Sequence, residues 1–276
     1  MVEQARRSVA VRRSGSGTAE TTDWVAVEEP LQLRVGFDAG DTEPRDLLVT
    51  MRTPGHDAEL ARGLLFSEGL VDVADDIVRL CPSGTPANTL ELTLRAPLRE
   101  RWPAQLRSVY ASAACGICGT TSVKSLRLAT GPAAADSGFA VTEAVLASLP
   151  SALLARQPAF ASTGGMHAAA LFGADGSVRA VREDIGRHNA VDKLVGAALL
   201  DGQLPLAECG LFVSGRVSFE IVAKAQRAGC GLICAVGAPT SLAIDAAWES
   251  GITLVGFLRD QRFNIYSVPG RICPVP

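Results

Sequence analysis

Apolar and polar residues alternate along several short segments in the first third of the chain, which is the pattern of half-buried β-strands. These predicted strands cover residues 24–27, 31–35, 46–51 and 89–94. Between the third and the fourth strand, leucines at helical spacing predict a helix over residues 58–68. Strands and one helix in this order predict a small α+β unit.

The second half of the chain has a different pattern, in which apolar runs bounded by glycine alternate with longer amphipathic segments. The apolar runs have the length of buried strands, and the amphipathic segments have the length of helices. The predicted strands cover residues 168–172, 178–182, 210–213, 232–236, 253–258 and 263–267, and the predicted helices cover residues 142–155, 189–200, 217–228 and 241–250. This alternation is typical of a layered domain, so we expect an α/β fold that is α+β overall.

These patterns divide the chain into four parts. Residues 1–22 are rich in Arg, Ser, Thr and Gly and contain almost no large apolar residue, so we expect a disordered tail. Residues 23–110 form the smaller α+β domain, and residues 136–276 form the larger α/β domain. Residues 111–135 carry little charge and contain two cysteines, and we expect a flexible loop there.

The overall composition excludes several classes of protein. Hydrophobic residues make up 47% of the 276 residues and charged residues 20%, which is too apolar for a disordered chain. A net charge of −3 argues against a protein that coats nucleic acid, because such proteins carry an excess of basic residues. The longest uncharged stretch, residues 228–244, is interrupted by glycines and a proline, so we expect no membrane span. No apolar run follows the N-terminal arginines, so we expect a cytoplasmic protein.

The 7 cysteines include one closely spaced pair, Cys115-Gly-Ile-Cys118, in a stretch without charge. Two thiols at this spacing can form a disulfide, share a metal ion or pass a sulfur atom between them. A zinc site needs two further ligands. Cys230 and Cys234 lie four residues apart in a predicted buried strand, where we expect both on one face of the sheet. The CxxC pair is therefore the candidate for thiol chemistry, and we expect no structural metal.

Polar turns follow three predicted strands of the larger domain, at residues 183–189, 214–218 and 237–241. Each turn contains glycine together with Ser, Thr, Asn or Arg, and each precedes a predicted helix. Because strand carboxyl ends and helix N-termini attract anions, we expect a crevice for a phosphorylated or nucleotide-like ligand. Arg187 and Arg216 are the candidate phosphate ligands within these turns, although a single arginine is more often a solvated surface residue than a ligand.

A second cationic feature lies near the C-terminus, where the sequence predicts a hairpin with Asp260 and Gln261 at its tip. Arg259 and Arg262 flank this tip, and two neighbouring guanidinium groups can hold a phosphate bidentately. A phenylalanine on either strand, such as Phe257, can stack on a planar ring. The alternative interpretation is an ordinary charged hairpin tip.

Several of these segments occur together and in a fixed order, which is far more specific than any one of them. The segments are Cys115-Gly-Ile-Cys118-Gly119, Thr163-Gly-Gly-Met-His167, Glu183-Asp-Ile-Gly-Arg-His-Asn-Ala190, Ser214-Gly-Arg-Val-Ser218 and Ala238-Pro-Thr-Ser-Leu242. In these segments the chain closely resembles the FdhD family, the formate dehydrogenase accessory sulfur-carrier proteins. The resemblance covers residues 24–272 and leaves only the tail outside.

The resemblance implies a sulfurtransferase. A cysteine desulfurase loads a persulfide sulfur onto the CxxC loop, with Cys115 as the expected carrier and Cys118 as the second catalytic thiol. The sulfur then passes to bis(molybdopterin guanine dinucleotide), the molybdenum cofactor that formate dehydrogenase needs. The family also implies a homodimer and a larger three-layer domain similar to the cytidine deaminase fold, without its zinc chemistry.

The expected cofactor-binding residues come from the hairpin, which corresponds by position to the family's C-terminal binding segment, and from the polar turns. The full set is Phe257, Leu258, Arg259, Asp260, Gln261, Arg262, Arg187, His188, Ser214 and Arg216. Two alternatives stay open: a nucleotide-binding or cofactor-binding chaperone whose CxxC pair has only a redox or docking role, and a zinc-dependent nucleotide hydrolase. Neither nucleic acid nor a membrane is an expected partner.

Overall fold

The structure of the protein is a computed structural model, and it describes most of the chain. The described residues are 3–12, 20–39, 43–84, 88–101, 109–110, 138–259 and 261–274. Cys115, Cys118 and Asp260 lie outside these residues, and so does the whole predicted loop over 111–135. The roles predicted for them, and the division into domains, stay predictions.

The described chain begins with an antiparallel hairpin of two strands, β1 (Arg6–Arg12) and β2 (Glu20–Ala26). The prediction of a disordered tail is therefore wrong for Arg6–Arg12. The hairpin is anchored at its base, because Ala5 is buried in a small apolar cluster with Ala159 and Met166. These partners come from a distant part of the sequence, so the local composition of the N-terminus does not reveal them.

A five-stranded sheet and one helix form the smaller unit. Its strands are β3 (Glu29–Phe37), β4 (Arg45–Arg52), β5 (Ile77–Ser83), β6 (Thr89–Leu94) and β7 (Val109–Tyr110), in the order β5-β6-β3-β4-β7, and its helix is α1 (Asp57–Ser67). Alternate residues of β3, including Leu31 and Leu33, are fully buried. This alternation is the pattern that predicted the strand, with one face of the sheet toward the core.

A six-stranded mixed sheet forms the centre of the larger unit, and a short parallel pair of strands lies beside it. The elements along this part of the chain are β8 (Val141–Thr142), α2 (Glu143–Leu154), α3 (Pro158–Thr163), β9 (His167–Phe172), β10 (Val178–Asp184), α4 (Arg187–Leu200), β11 (Gly210–Val213), α5 (Phe219–Arg227), β12 (Leu232–Ala235), α6 (Ser241–Glu249), β13 (Thr253–Arg259), β14 (Arg262–Ser267) and β15 (Ile272–Cys273). The sheet order is β10-β9-β11-β12-β13-β14, and β8 pairs with β15. Strands β11, β12 and β13 are parallel, so their carboxyl ends lie at one edge.

Helices cover both faces of the six-stranded sheet. Strand β12 shows the division: Ile233 and Ala235 pack into the core that contains α4, α5 and α6, whereas Leu232 and Cys234 pack into the core that contains α2. Burial on both faces explains why the central strands are continuous apolar runs without alternation. The mixed α/β class with a layered larger unit, predicted from the sequence, is confirmed.

The two units are joined where α1 crosses α4 with their backbones in contact. A Cβ atom added to Gly63 of α1 would lie 1.8 Å from the carbonyl oxygen of Asp192, and one added to Gly196 of α4 would lie 1.9 Å from that of Glu59. No side chain larger than hydrogen fits at either position. The apolar residues of the smaller unit consequently share one continuous core with the face of the six-stranded sheet that α4, α5 and α6 cover.

An ion-pair cluster also links the units. The Glu59 carboxylate of α1 accepts hydrogen bonds from the Arg182 side chain of β10 at 2.5 and 2.9 Å and lies 2.9 Å from Nδ1 of His56. Burial raises the pKa of Glu59, but the bonds from Arg182 and His56 outweigh it and lower the pKa to about 2. This carboxylate therefore stays ionised and paired at neutral pH.

Two local predictions need correction. The sequence predicts a helix that begins at Asn189, but α4 begins at Arg187 and its cap is Gly186. The Asn189 side chain instead donates to the Met51 carbonyl and to Asp184. Cys230 and Cys234 do not share one face of the sheet, because β12 begins only at Leu232 and the two cysteines pack into different cores.

None of the helices within the described ranges combines the length and the apolar character that a membrane crossing needs.

Candidate functional site

The polar turns that follow β11 and β12 are joined through their backbones to each other and to β13. The Gly237 amide donates to the Gly215 carbonyl at 3.1 Å, and the Phe257 amide donates to the Gly237 carbonyl at 3.1 Å. A Cβ atom at Gly237 would lie 2.8 Å from the Gly215 oxygen, so glycine is needed for this close approach. The two turns and Phe257 of β13 thus form one continuous rim at the carboxyl edge of the parallel strands, where ligands of α/β sheets bind.

His167 stands at the same edge because β9, which it begins, runs antiparallel to β11. Its Nδ1 atom lies 3.3 Å from the position that a Cβ of Gly215 would take. Burial lowers the pKa of His167, and the positive charge of Arg187 lowers it further. The imidazole is therefore neutral at pH 7 and can donate or accept one hydrogen bond.

Arg187 is the first residue of α4 and also faces this edge, with its Cβ 3.7 Å from the same position at Gly215. Its Nε is buried, and no described residue accepts a hydrogen bond from it. A buried guanidinium donor without an acceptor is costly, and an anion at the N-terminus of α4 would satisfy it. Among the site residues predicted from the sequence, Arg187 has the geometry most suited to a phosphate.

His188 is held by two side chains of the neighbouring turn and helix. Its Nε2 lies 2.9 Å from a carboxylate oxygen of Glu220 and 3.1 Å from the Ser218 hydroxyl. Fixing Nε2 in this way leaves Nδ1 as the other polar atom of the ring. The sequence did not single out Glu220, because a glutamate in the first turn of a helix is ordinarily a favourable charge at the helix dipole.

A cavity of about 490 Å³ opens beside this edge. Ser214, His167 and Gln157 form its polar part, and the side chains of α2, α3 and the central strands form its apolar walls. The lining residues are Pro150, Leu153, Leu154, Gln157, Phe160, Gly164, Gly165, Met166, His167, Phe212, Ser214 and Val236. Of the predicted binding residues that the structure describes, Ser214 alone lines this cavity; its hydroxyl also accepts a hydrogen bond from the Ala168 amide at 2.9 Å.

The predicted C-terminal hairpin is present as β13 and β14, with Arg259 directly opposite Arg262 and both exposed. Like charges in facing positions disfavour the pairing unless an anion joins them. One extra residue in β13 produces a bulge, in which Phe257 adopts a left-handed backbone (φ 54°) with a ring that is 37% exposed. The Leu258 side chain is fully buried in the core, so only its backbone can reach a ligand.

The structure therefore divides the predicted binding residues into two groups. Arg187, His188 and Ser214 gather with His167 at the carboxyl edge, where Arg216 is an exposed neighbour whose charge acts on His167. Phe257, Arg259, Gln261 and Arg262 belong to the hairpin that extends β13 beyond this edge. Within the described part of the chain, no group of His, Cys, Asp and Glu side chains is arranged to hold a metal ion.

The fold and this edge define a layered α/β protein with Arg187, His188 and His167 beside the carboxyl ends of its parallel strands. Comparison with known proteins gives the family: residues 26–273 match the FdhD/NarQ family model. The chain belongs to the FdhD/NarQ family.

Curated relatives cover nearly the whole chain. The sulfur carrier protein FdhD of Nocardia farcinica is 46% identical over 276 residues, covering 97% of this chain and 94% of that protein. The protein of the same name from Sulfurisphaera tokodaii is 40% identical, covering 98% and 99%. A crystal structure assigned as a formate dehydrogenase accessory protein of Desulfotalea psychrophila is 25% identical, with a TM-score of 0.72 over 97% of this chain and 98% of that one.

Proposed function

We propose that this chain accepts a sulfur atom as a persulfide on Cys115 and Cys118 and delivers it to bis(molybdopterin guanine dinucleotide) during formate dehydrogenase maturation. A sulfur-carrier role in that maturation is the role of the family to which the chain belongs. The observation that carries the proposal is the Cys115-Gly-Ile-Cys118 pair in a chain of that family. The transfer chemistry, the donor and the form of the acceptor are the proposed part.

Three buried cysteines of the larger unit are poorly suited to carry sulfur. Cys230 and Cys234 are fully buried, and burial raises the pKa of Cys230 to about 11 and that of Cys234 well above its ordinary range. Burial also raises the pKa of Cys209. Since the thiolate is the nucleophile, these three remain inert thiols at neutral pH. Cys273 of the same unit is exposed but has no second cysteine at CxxC spacing, so Cys115 and Cys118 stay the candidates for sulfur chemistry.

The transfer proceeds by thiol–disulfide exchange. The Cys115 thiolate attacks the terminal sulfur of the desulfurase persulfide, an S–S bond forms at Cys115, and the desulfurase cysteine leaves as a thiolate. The Cys118 thiolate then attacks Sγ of Cys115, which forms a Cys115–Cys118 disulfide and releases the outer sulfur as sulfide to the acceptor. The two cysteines supply the two electrons that reduce this sulfur, and a cellular dithiol afterwards reduces the disulfide.

The acceptor is the substrate of this reaction, and we expect its guanine nucleotide groups to bind at the carboxyl edge. Arg187 has a buried donor without an acceptor among the described residues, and it lies at a helix N-terminus. The arginines of the hairpin and Arg216 supply further exposed guanidinium groups for phosphate. His188, fixed by Glu220, orients these groups or handles a proton. The neutral His167 can donate to an oxygen of the ligand without adding charge.

We extend the proposal to a homodimer that acts in the cytoplasm. A reducing compartment keeps the CxxC pair as thiols between rounds of transfer. In this setting the chain receives sulfur from a cysteine desulfurase and serves formate dehydrogenase.

Incubation with a cysteine desulfurase and cysteine tests the sulfur step directly. We expect a mass increase of about 32 Da, one sulfur atom, on the proteolytic peptide that contains Cys115 and Cys118. The adduct should disappear on treatment with a dithiol, because a persulfide is reducible. A loaded desulfurase that leaves this peptide unmodified contradicts the proposal and favours a chaperone whose CxxC pair only docks or changes redox state.

Substitution of Arg187 tests whether the nucleotide groups of the acceptor bind at the carboxyl edge, with guanosine diphosphate (GDP) as the probe. We expect Arg187→Gln to raise the Kd for GDP about tenfold or more, since a hydrogen bond from a charged group contributes about 1.5–3 kcal/mol. Arg45→Gln is the matched control, because it removes the same charge from an exposed position on the five-stranded sheet. Isothermal titration calorimetry measures both. Equal Kd values for the two variants would exclude Arg187 as a phosphate ligand.

A further inference from the structure

Thr53, the residue after β4, belongs to the smaller unit but is bonded entirely to the larger one. It is 1% exposed. Its amide donates to Asp184 at 3.1 Å, and its carbonyl accepts from Nζ of Lys193 at 2.9 Å. Its hydroxyl accepts from the Ile185 amide at 3.1 Å and lies 3.5 Å from Sδ of Met166, to which it can donate.

The last two contacts join two turns that flank the carboxyl edge. Met166 immediately precedes His167, and Ile185 lies two residues before Arg187. Both turns leave the same end of the β9–β10 hairpin, where His167 pairs with Asp184 as the last pair of the ladder. Beyond this pair the Thr53 hydroxyl is a single small group that contacts both turns, so it fixes the distance from the His167 turn to the Arg187 turn.

A buried ion pair, formed by Asp184 and Lys193, bonds to the backbone of Thr53. Asp184 and Lys193 lie 2.7 Å apart, with side chains 0% and 1% exposed. Asp184 also accepts from the Gly186 amide at 2.8 Å and from Nδ2 of Asn189 at 3.2 Å. A buried ion pair is weak evidence for stability, because desolvation offsets its attraction. Here it fixes the direction of the backbone at the start of α4, which an apolar pair could not do.

We propose that Thr53 is a positioning residue of the site, whose hydroxyl holds the His167 turn and the Arg187 turn in the one arrangement that binds the phosphate groups of a guanine nucleotide. The inference rests on the proposed function, because it assigns nucleotide phosphate to this edge. It adds a residue of the smaller unit, which touches no ligand itself, to the determinants of affinity.

The test compares Thr53→Val, Thr53→Ser and Ser250→Ala in the full chain, with GDP as the probe. Valine keeps the shape of threonine but removes the hydroxyl, whereas serine keeps the hydroxyl. Ser250→Ala is the matched control: Ser250 is 2% exposed and also loses one buried side-chain bond, to Gln226 at 2.8 Å, away from the site. We expect Thr53→Val and Ser250→Ala to lower Tm by similar amounts of about 2–5 °C.

Titration calorimetry and amide hydrogen exchange separate positioning from stability. We expect Thr53→Val to raise the Kd for GDP about fivefold or more and to speed exchange at residues 185–188, with Thr53→Ser and Ser250→Ala close to the parent protein. A Thr53→Val protein that binds GDP as tightly as the Ser250→Ala protein overturns the inference. If the parent protein itself does not bind GDP, the proposed binding of the nucleotide groups is overturned instead. In that case the hydrogen-exchange rates at residues 185–188 still test the positioning role, and unchanged rates in Thr53→Val overturn it as well.

Discussion

Cys115→Ser is expected to abolish sulfur loading. Serine is nearly the same size as cysteine, but its hydroxyl is not ionised at neutral pH and cannot form a persulfide, whereas transfer requires a thiolate. After incubation with a cysteine desulfurase and cysteine, the peptide that contains Cys118 should carry no persulfide adduct. Transfer of labelled sulfur to the molybdenum cofactor should fall to the background of a reaction without the carrier.

Cys118→Ser should behave differently, because the proposed role of Cys118 is discharge. We expect this variant to accept sulfur on Cys115 but to retain it, so that the adduct accumulates while transfer slows. Cys273→Ser is the control, since Cys273 is an exposed free thiol on β15 and its loss should change neither step. Normal loading and transfer by Cys115→Ser would show that Cys118, or another thiol, is the carrier.

Gly196→Ala is expected to destabilise the fold severely. The added Cβ would lie 1.9 Å from the Glu59 carbonyl oxygen and 2.8 Å from the Gly63 amide nitrogen, so it meets backbone on both sides. Neither helix can rotate a backbone atom away, and α1 and α4 must separate along their whole contact. We expect a loss of about 3–5 kcal/mol in the free energy of unfolding, in the range of severe core overpacking.

Urea denaturation at equilibrium measures this loss. Gly63→Ala should have a comparable effect, since its Cβ would meet the Asp192 carbonyl oxygen from the other helix. Gly270→Ala is the control, because a Cβ there has open space and should change stability by less than about 0.5 kcal/mol. A Gly196→Ala protein as stable as Gly270→Ala would mean that the helices do not cross in backbone contact.

Much of the secondary structure was predictable because it depends on the local periodicity of apolar and polar residues. Alternating residues predicted β3 and β6, and short apolar runs between glycines predicted β11, β12 and β13. The hairpin of β13 and β14 and the layered α/β class followed from the same reasoning. In contrast, the β1 strand was missed, since nothing near it in sequence indicates that Ala5 is buried against α3.

The turns that contribute to the candidate site were predictable from the sequence, but the contacts between them were not. Glycine-rich and polar turns after apolar strands indicate ligand contacts at a sheet edge, and this reasoning selected Arg187, His188 and Ser214. It did not select Thr53 or Glu220. Thr53 lies 132 residues from its partner Ile185, and no local pattern records a bond across that separation.

The sequence alone therefore determined the elements, the CxxC pair and the family resemblance, because each depends on residue types at short, fixed spacing. Tertiary structure decided which turns meet, how α1 and α4 cross, and which polar atoms are left without a partner. It showed that Arg187 carries a buried donor without an acceptor in the described part of the chain. It also showed that Gly63 and Gly196 lie at the same crossing of α1 and α4. Such properties arise from packing between segments that are distant in sequence, where burial and direction depend on the whole chain.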